Sequence, residues 1–352
     1  MTSRFITDLS LDEIKNLVVE NSQPSFRAKQ IFSWLWQHRV ESFDEMSNLP
    51  VSFRASLVSQ LEIGRLVSSQ VLESSAGDAV KFGFQSRDNW VIESVLLIDG
   101  DRRSLCVSSQ IGCGMGCTFC RTGKLGFIRN LSVGEILGQV AAVDKWLRAK
   151  GDDRRVGNIV FMGMGEALLN YKAFRTARAI IMSEDGFAIG GRKITVSTSG
   201  VIPAIERFAA EHLNVGLAIS LNSFNDTKRS AVMPVNRRWP ISELVRAAKD
   251  FQAETKADLT FEYVVIEDEN DSPAAAAALI SYLRGFPCKI NLIPLNPFDK
   301  TGIAKDGDVA ADRLGRILSD AGITVTVRKS RGRDIDGACG QLTSSSVVSD
   351  PS

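Results

Sequence analysis

The sequence predicts an α/β fold made of parallel strand–helix units, arranged as an open doubly wound sheet or as a full or partial barrel. The first observation is a rhythm after residue 100, where short β-branched runs alternate with helical stretches of similar length. The second is that polar residues follow the carboxyl ends of several of these runs, where such folds place their active sites. The third is length, because 352 residues can bury a full-sized core in about two domains.

Apolar residues with helical spacing dominate the first 65 residues. Leu11, Ile14 and Leu17 fall on one helical face, and a second apolar pattern runs from about residue 25 to 39. Between about 68 and 98 the pattern changes to alternation, as in AVKFGFQ, which predicts a hairpin or a small sheet. These changes predict four regions: a helical accessory domain at 1–65, a β-hairpin linker at 66–98, a core at 99–342 and a flexible tail at 343–352.

The predicted core alternates seven strands with six helices. The strands are expected at 103–108, 156–161, 192–197, 215–220, 259–265, 289–294 and 323–328. The helices are expected near 133–149, 170–182, 201–211, 240–253, 273–284 and 309–320. The second strand runs into GMGE at 163–166 and the third into STSG at 197–200, so we expect both segments at one active edge.

The composition of the chain and the motifs it lacks argue against several classes of function. A net charge of +1 neither supports nor excludes a nucleic-acid partner, because a local basic patch can bind phosphates on a neutral protein. Only two histidines, His38 and His212, are present, which disfavours His-rich metal sites. No GxxxxGK[ST] phosphate loop is present, which weakens an ATPase interpretation. No apolar run approaches the ~18–20 residues that cross a bilayer, and the N-terminus lacks a signal-peptide core, so we expect a cytoplasmic protein.

Three of the six cysteines are closely spaced. Cys113, Cys117 and Cys120 form C-x3-C-x2-C among glycines, which let the backbone fold tightly around a bulky group. In a cytosolic chain such a group of cysteines indicates metal or redox chemistry rather than disulfides. A structural zinc site needs four protein ligands, so zinc, the alternative, would need Cys106 or Cys339 as well. Three thiolates suit a [4Fe–4S] cubane that leaves one iron open to a substrate.

This spacing, with the aromatic Phe119 before the last cysteine, resembles the radical S-adenosylmethionine (SAM) superfamily. The resemblance implies that SAM binds the open iron through its methionine amino and carboxylate groups. One electron from the cluster would then break the sulfonium bond and give a 5′-deoxyadenosyl radical. Glu166 of GMGE can pair with the ammonium group of SAM, although GMGE taken alone is better explained as an ordinary tight turn.

Longer segments resemble the radical SAM methyltransferases that act on adenosine C2 in 23S ribosomal RNA. These segments are GFIRNL at 126–131, GMGEALLN at 163–170, STSG at 197–200, LNPF at 295–298 and DIDGACGQL at 334–342. The resemblance extends from about Phe26 to Leu342. It implies a partial (β/α)6-type barrel with a small N-terminal helical domain and a short β extension, and an RNA-binding role for region 1–65.

The resemblance also implies a methyl transfer in stages, to C2 of adenosine 2503 of 23S rRNA and, as a second candidate substrate, to C2 of an anticodon-loop adenosine of tRNA. Adenine C2 is electron-poor and cannot attack a sulfonium methyl, so Cys339 would first take the methyl group as a thiolate nucleophile. A second SAM would yield the radical that removes a hydrogen from this S-methylcysteine. Cys106 would release the product by forming a disulfide with Cys339, and Glu93 would remove the ring proton.

Ligands and partners follow from the same resemblance. The cluster ligands would be Cys113, Cys117 and Cys120. The SAM contacts carried over are Gly165, Glu166, Ser197, Ser220, Leu221, Asn222 and Asn296. Two SAM molecules would be used per turnover, an electron donor such as flavodoxin or ferredoxin would supply the electron, and the enzyme would act as a monomer.

Three departures from the family pattern leave alternatives open. Ala167 stands where the family commonly has proline, Asn222 stands where it commonly has histidine, and the tail after Leu342 is short and lacks basic residues. Alanine at this position and a short tail also occur in relatives that methylate adenine C8 and confer antibiotic resistance, so C8 methylation is the first alternative. The second is a non-catalytic, metal-stabilised RNA-binding protein, which would leave Cys106 and Cys339 unexplained.

Overall fold

Within residues 5–296 and 307–344, which the computed structural model describes, the strands form one ten-stranded sheet and a separate two-stranded pair. The strands are β1 (Val67–Glu73), β2 (Ala79–Gln85), β3 (Val91–Asp99), β4 (Arg102–Cys106), β5 (Gln110–Gly112), β6 (Phe127–Asn130), β7 (Asn158–Phe161), β8 (Ile194–Thr198), β9 (Gly216–Ser220), β10 (Leu259–Val265), β11 (Lys289–Pro294) and β12 (Thr324–Val327). The α-helices are α1 (Leu11–Glu20), α2 (Arg27–Ser33), α3 (Val51–Gln60), α4 (Arg121–Leu125), α5 (Val133–Ala149), α6 (Tyr171–Met182), α7 (Ile202–Ala210), α8 (Asp226–Val232), α9 (Ile241–Thr255), α10 (Pro273–Leu283) and α11 (Gly307–Asp320).

The strands β4 and β7 to β12 are parallel and adjacent in chain order, as the alternating pattern predicts. Ser104 of β4 lines the same cavity as Ile293 of β11 and Thr326 of β12, so the sheet curves until its two sides face each other. No hydrogen-bonded pairing joins β4 to β12 in the described ranges, so the barrel is partial. The predicted fold class is therefore confirmed.

The three strands of region 66–98 continue the main sheet. The strands β1, β2 and β3 form an antiparallel meander, and β3 pairs antiparallel with β4. Val95 lies opposite Cys106 in that pairing, and Glu93 lies two residues before Val95, so all three side chains share one face. Val95 and Cys106 both line the cavity, which brings Glu93 to its edge.

The N-terminal region is helical, as its apolar spacing predicts. Helix α1 begins with a capping box, in which Ser10 Oγ accepts from the Glu13 amide at 3.2 Å and Glu13 Oε2 accepts from the Ser10 amide at 2.8 Å. Trp36 lies in a short π-helical turn after α2 and is fully buried. This packing gives the region its own set of core residues, which joins the core of the sheet.

A buried ion pair connects the N-terminal region to the core. Arg39 Nη2 lies 2.6 Å from Asp144 Oδ2 on α5, and both side chains are almost fully buried. The other carboxylate oxygen of Asp144 accepts from the Val156 amide at 2.7 Å. The carboxylate is therefore paired on both oxygens, and its removal would leave a buried guanidinium without a partner.

No α-helix among the described residues has both the length and the apolarity needed to cross a membrane.

We expect Asp144→Ala to lower the free energy of unfolding of the cluster-free protein by roughly 3–5 kcal/mol, because it leaves Arg39 buried and unpaired. The control is Glu73→Ala, which breaks the ion pair with Lys150, where both side chains are about half exposed. That change should cost less than about 1 kcal/mol. Urea unfolding measures both values, and equal losses would show that the Arg39–Asp144 pair does not secure the N-terminal region.

Candidate active site

The three closely spaced cysteines lie in the loop between β5 and α4. The Cys113 amide donates to the Gly126 carbonyl at 2.8 Å, which closes the base of the loop between β5 and β6. Gly112 adopts φ +70°, and a Cβ there would lie 1.9 Å from the Gly126 oxygen. Only glycine therefore fits at the start of this loop.

The thiols of this loop are half-buried and make no disulfide. Burial raises the pKa of Cys113 and of Cys117 to about 12, so both remain protonated until a cation replaces the proton. Among the described residues, no three His, Cys, Asp or Glu side chains are close enough to hold one metal ion. A mononuclear zinc site needs its thiolates ~2.3 Å from a single point, whereas a cubane spreads three thiolates over three iron corners. The donor set fits the cluster better than zinc.

The GMGE turn packs directly on the segment that leads into the cysteine loop. Gly165 adopts φ +98°, and a Cβ there would lie 2.5 Å from the Gln110 Cβ. The Gln110 side chain in turn accepts from the Glu166 amide at 2.8 Å. Gly165 therefore allows the turn to approach β5, and the hydrogen bond to Gln110 fixes the backbone of Glu166.

Glu166 is a buried carboxylate with one free oxygen. Its Oε2 accepts from the amide of Ser199 at 2.7 Å and from the Ser199 hydroxyl at 2.9 Å. Its Oε1 is buried and has no hydrogen-bond partner within the described residues. Burial raises the pKa of Glu166, and the Ser199 hydrogen bonds oppose that rise. A buried acceptor without a donor fits a cationic ligand group, such as the ammonium of SAM.

The other predicted SAM contacts lie at or beyond the carboxyl ends of the parallel strands. Ser197 lies in β8, Ser220 ends β9, Leu221 follows it, and Asn296 follows β11. The side chain of Asn222 is used by the fold, because its Oδ1 accepts from the Val264 amide at 2.9 Å and its Nδ2 donates to the Met233 sulfur at 3.4 Å. The structure therefore gathers the strand-end residues but directs the Asn222 side chain toward β10. Pro297 and Phe298 of the LNPF segment lie outside the described residues.

Residues 328–344, here called the C-terminal strap, cross from the end of β12 to the antiparallel strands. Arg331 Nη1 donates to the Ile98 carbonyl at 3.0 Å on β3. The Arg121 amide, next to the last cysteine of the loop, donates to the Gly340 carbonyl at 2.8 Å. Asn296 Nδ2 donates to the Cys339 carbonyl at 3.5 Å. The strap therefore holds Cys339 over the open side of the barrel. Residues 345–352 of the predicted tail lie outside the described residues.

Cys106 and Cys339, the two other thiols with a predicted role, line one cavity of about 710 Å³ that extends to the cysteine loop. Its walls include Cys106, Cys120, Cys339 and Gly163. Burial, and then the neighbouring Cys339, raises the pKa of Cys106 to about 12. Burial, and then Glu262, raises the pKa of Cys339, which lines the same cavity and keeps an exposed surface. The two thiols are therefore close enough to affect each other.

Glu93 lies under the strap with both carboxylate oxygens engaged. Lys81 Nζ lies 3.2 Å from Glu93 Oε1, and the Thr343 amide donates to Oε2 at 2.8 Å. Burial raises the pKa of Glu93, and the Lys81 ammonium partly opposes this rise. The carboxylate is thus held beside the cavity with a buried cation as its partner.

Four residues of this site were assigned no role from the sequence. Gln110 and Ser199 fix Glu166, Lys81 pairs with Glu93, and Glu262 faces Cys339 with a buried Oε2 that has no partner among the described residues. Ser199 belongs to the STSG segment, where its position after a strand could have indicated a role. Lys81, in AVKFGFQ, is a lysine within an otherwise apolar strand, which is the signal that could have identified it.

Comparisons with known proteins agree with this geometry. The family model described as "Radical SAM superfamily" matches residues 107–280, and "Ribosomal RNA large subunit methyltransferase N-terminal domain" matches residues 6–63. A "Dual-specificity RNA methyltransferase RlmN 2" from Myxococcus xanthus is 45% identical, over 96% of this chain and 90% of that protein. An RlmN from Anaeromyxobacter dehalogenans is 40% identical, over 98% and 93%. The crystal structure of a radical SAM methyltransferase from Sphaerobacter thermophilus superposes with a TM-score of 0.90 at 42% identity, covering 96% of this chain and 99% of that one.

The partial barrel, the cysteine loop and the GMGE turn are together those of a radical SAM enzyme, a class that uses a [4Fe–4S] cluster and SAM. Within that class, the chain belongs to the RlmN family of radical SAM RNA methyltransferases. The alternative of a non-catalytic RNA-binding protein is therefore wrong.

We expect Gly165→Ala to weaken SAM binding by up to about a hundredfold, because the added Cβ collides with Gln110 and displaces Glu166. The matched control is Gly77→Ala. Gly77 also has positive φ, +67°, but nothing lies within 4 Å of the added Cβ. Equilibrium dialysis of the reconstituted protein measures the dissociation constant. If both variants bind SAM equally well, the close approach of the GMGE turn does not form the SAM site.

Proposed function

We propose that this chain methylates C2 of adenosine 2503 in 23S rRNA, and C2 of an anticodon-loop adenosine in tRNA, through a methyl group carried on Cys339. The observation that carries the proposal is the shared cavity, which two thiols outside the cysteine loop line together with Cys120. A radical SAM enzyme that needed only the cluster would have no use for two more thiols in that cavity. An RNA substrate agrees with a cytoplasmic location.

Cys113, Cys117 and Cys120 would hold the cluster, and the free Oε1 of Glu166 would receive the SAM ammonium. When bound, the cluster supplies one electron that cleaves SAM and yields a 5′-deoxyadenosyl radical. Gly165, Ser197, Ser220, Leu221 and Asn296 would complete the SAM site at the strand ends. Asn222 would contribute through its backbone, because its side chain is already paired with β10.

Cys339 would act first, as the nucleophile that takes a methyl group from SAM. The pKa of its thiol is raised by burial and by the carboxylate of Glu262, so it needs a cation nearby to become a thiolate. The positive sulfonium of SAM is such a cation. Cys339 would therefore lose its proton when SAM is in place, which limits its reactivity to the methyl donor.

Cys106 would act last, as the thiol that releases the product. Once the methyl carbon of Cys339 is bonded to adenine, attack by Cys106 on the Cys339 sulfur forms a disulfide and breaks the sulfur–carbon bond. The bonding electron pair stays on the carbon, which takes up a proton and becomes the methyl group. The common cavity supports this pairing. Each turnover would consume one SAM as methyl donor and a second as the source of the radical, and a donor such as flavodoxin or ferredoxin would supply the electron.

Glu93 would remove the proton from the adenine ring. Its burial beside the cavity, with Lys81 as its partner, keeps it poised as a base rather than as a solvated surface carboxylate. The Thr343 amide occupies its second oxygen, so the strap positions this carboxylate as well as Cys339.

Two features support RNA as the substrate and favour C2 over C8. Residues 6–63 match a ribosomal RNA methyltransferase domain, and Phe26 is exposed there with the Arg27 guanidinium 5.3 Å from its ring centroid, which is a surface suited to stacking on bases. The relatives reported above carry the RlmN name rather than that of the C8-methylating subgroup. The words "dual-specificity" in those names support a second RNA substrate. We propose that region 1–65 contacts the RNA and that the enzyme works as a monomer.

Deletion of the gene should remove 2-methyladenosine from 23S rRNA and from tRNA, with 8-methyladenosine absent throughout. Mass spectrometry of the nucleosides measures both products. Re-expression of the wild-type chain should restore 2-methyladenosine, and Cys339→Ala should not. Appearance of 8-methyladenosine on re-expression would contradict the proposed position, and an unchanged tRNA would exclude the second substrate.

Cys106→Ala should trap the protein on its RNA, because Cys339 can still form the carbon–sulfur bond but no thiol remains to break it. A denaturing gel should show a protein–RNA band that nuclease removes. The matched controls are Cys339→Ala, which should give no band, and Cys288→Ala, whose partly buried thiol lies elsewhere in the fold and which should behave as wild type. Lack of a band in the Cys106 variant would contradict the assigned roles.

The rate of methylation should fall at acid pH as Glu93 takes up a proton. The midpoint of this acid limb of the pH–rate profile should lie above the ordinary pKa of a glutamate, because burial raises the pKa of Glu93. Lys81→Met removes the opposing cation, which raises that pKa further and should move the acid limb to higher pH. The control is Lys145→Met, a lysine that pairs with Glu41 on the surface. Single-turnover rates across pH measure the shift, and an unmoved limb in Lys81→Met would mean that Glu93 is not the base.

A further inference from the structure

A fully buried cation lies next to the cysteine loop. Arg229 belongs to α8 and is 0% exposed, which is rare for an arginine. Among the described residues, its guanidinium donates only to neutral oxygens. These are the carbonyls of Leu221 at 2.9 Å, Ser199 at 2.8 Å and Ser220 at 2.8 Å, and the Asn236 side-chain oxygen at 2.9 Å.

Arg229 forms no ion pair with a carboxylate in the part of the chain that the structure describes. Asp226, on the same helix, acts on it only at longer range. The Asp226 carboxylate accepts instead from Asn236 Nδ2 at 3.0 Å and from the Ile241 amide at 2.8 Å. A buried charge usually has a paired partner, so this guanidinium lacks the counter-charge that its burial calls for.

The position of Arg229 indicates where that counter-charge belongs. The Thr118 amide, in the cysteine loop, donates to the carbonyl of Val232 at 3.0 Å, so the loop is fastened to the end of α8. On its other side, the guanidinium holds the carbonyl of Ser199, whose amide and hydroxyl bind Glu166. Arg229 thus lies between the cysteine loop and the carboxylate expected to receive SAM.

A cubane held by three thiolates carries a net negative charge, and one-electron reduction makes that charge larger. A fixed cation in a low-dielectric site stabilises the reduced state more than the oxidised one. We propose that Arg229 is the counter-charge of the cluster and raises its reduction potential, which makes the cluster easier to reduce by a low-potential one-electron donor. The hydrogen bonds to backbone carbonyls hold the guanidinium in place without neutralising it.

The test compares variants that keep the charge with variants that remove it. Arg229→Gln and Arg229→Met are neutral, and Arg229→Lys keeps the cation. Each reconstituted protein is titrated with dithionite under anaerobic conditions, and the reduced cluster is quantified by electron paramagnetic resonance. The neutral variants should show an about tenfold smaller equilibrium constant for reduction, which is a fall of about 59 mV for a one-electron couple. Arg229→Lys should stay close to wild type.

Thermal unfolding of the cluster-free proteins separates this role from a purely structural one. Without the cluster, the neutral variants should be no less stable than Arg229→Lys, because all three variants give up hydrogen bonds to the four oxygens and only the neutral ones also remove an uncompensated buried charge. Neutral variants that fold but fail to retain iron, while Arg229→Lys retains it, would also support the proposal. Three results would overturn the proposal: equal reduction potentials in all variants, equal loss of iron and of stability in all three variants, or unfolding of the cluster-free neutral variants alone. Arg229 would then have only a structural role.

This inference rests on the proposed cluster at Cys113, Cys117 and Cys120. The iron content of the wild-type protein separates the two failures. A wild type without iron contradicts the cluster itself. A wild type with a reducible cluster, whose potential is insensitive to the charge at position 229, contradicts only the role of Arg229.

Discussion

The arrangement of the site depends on the C-terminal strap, which bridges the side of the barrel that the sheet leaves open. Its hydrogen bonds reach β3 through Arg331, the cysteine loop through Gly340 and Glu93 through Thr343. Without these bonds Cys339 would have no fixed position relative to Cys106, and the cavity would be an open groove. Because the same segment engages Glu93, the proposed nucleophile Cys339 and the proposed base Glu93 are held by one segment of the chain.

Burial is the second constraint, and it acts on several ionisable groups of the site. It raises the pKa of Cys113, Cys117, Glu93 and Glu166, so each is costly to ionise until a partner of opposite charge arrives. Lys81 is already present for Glu93, whereas Glu166 Oε1 and the Arg229 guanidinium have no counter-ion within the described residues. The protein thus presents an unpaired anion and an unpaired cation at the places where SAM and the cluster are expected. Binding of SAM and of the cluster would therefore supply the counter-charges that Glu166 and Arg229 lack.

Much of this could be predicted from the sequence, because strand–helix alternation and the C-x3-C-x2-C spacing are local signals. The strand at 259–265 and the helix at 133–149 were predicted at the bounds they have. The β5–β6 pair was not predicted, because Gln110–Gly112 is too short and glycine-rich to show alternation. Lys81 and Arg229 could not be assigned roles from sequence, since their partners lie far away along the chain. The family resemblance carried Asn222 over as a SAM contact at a position where the family commonly has histidine, whereas the fold pairs the Asn222 side chain with the Val264 amide.

The central claim is that Cys339 carries the methyl group before it reaches the RNA, and the fate of the methyl hydrogens tests this most directly. The enzyme is supplied with SAM whose methyl group is fully deuterated, and the modified adenosine is analysed by mass spectrometry. If Cys339 carries the group and one hydrogen is removed from it there, only a methylene reaches the ring. The product methyl should then keep two of the three deuteriums, with the third recovered in 5′-deoxyadenosine. A product that retains an intact trideuteromethyl group would contradict the account.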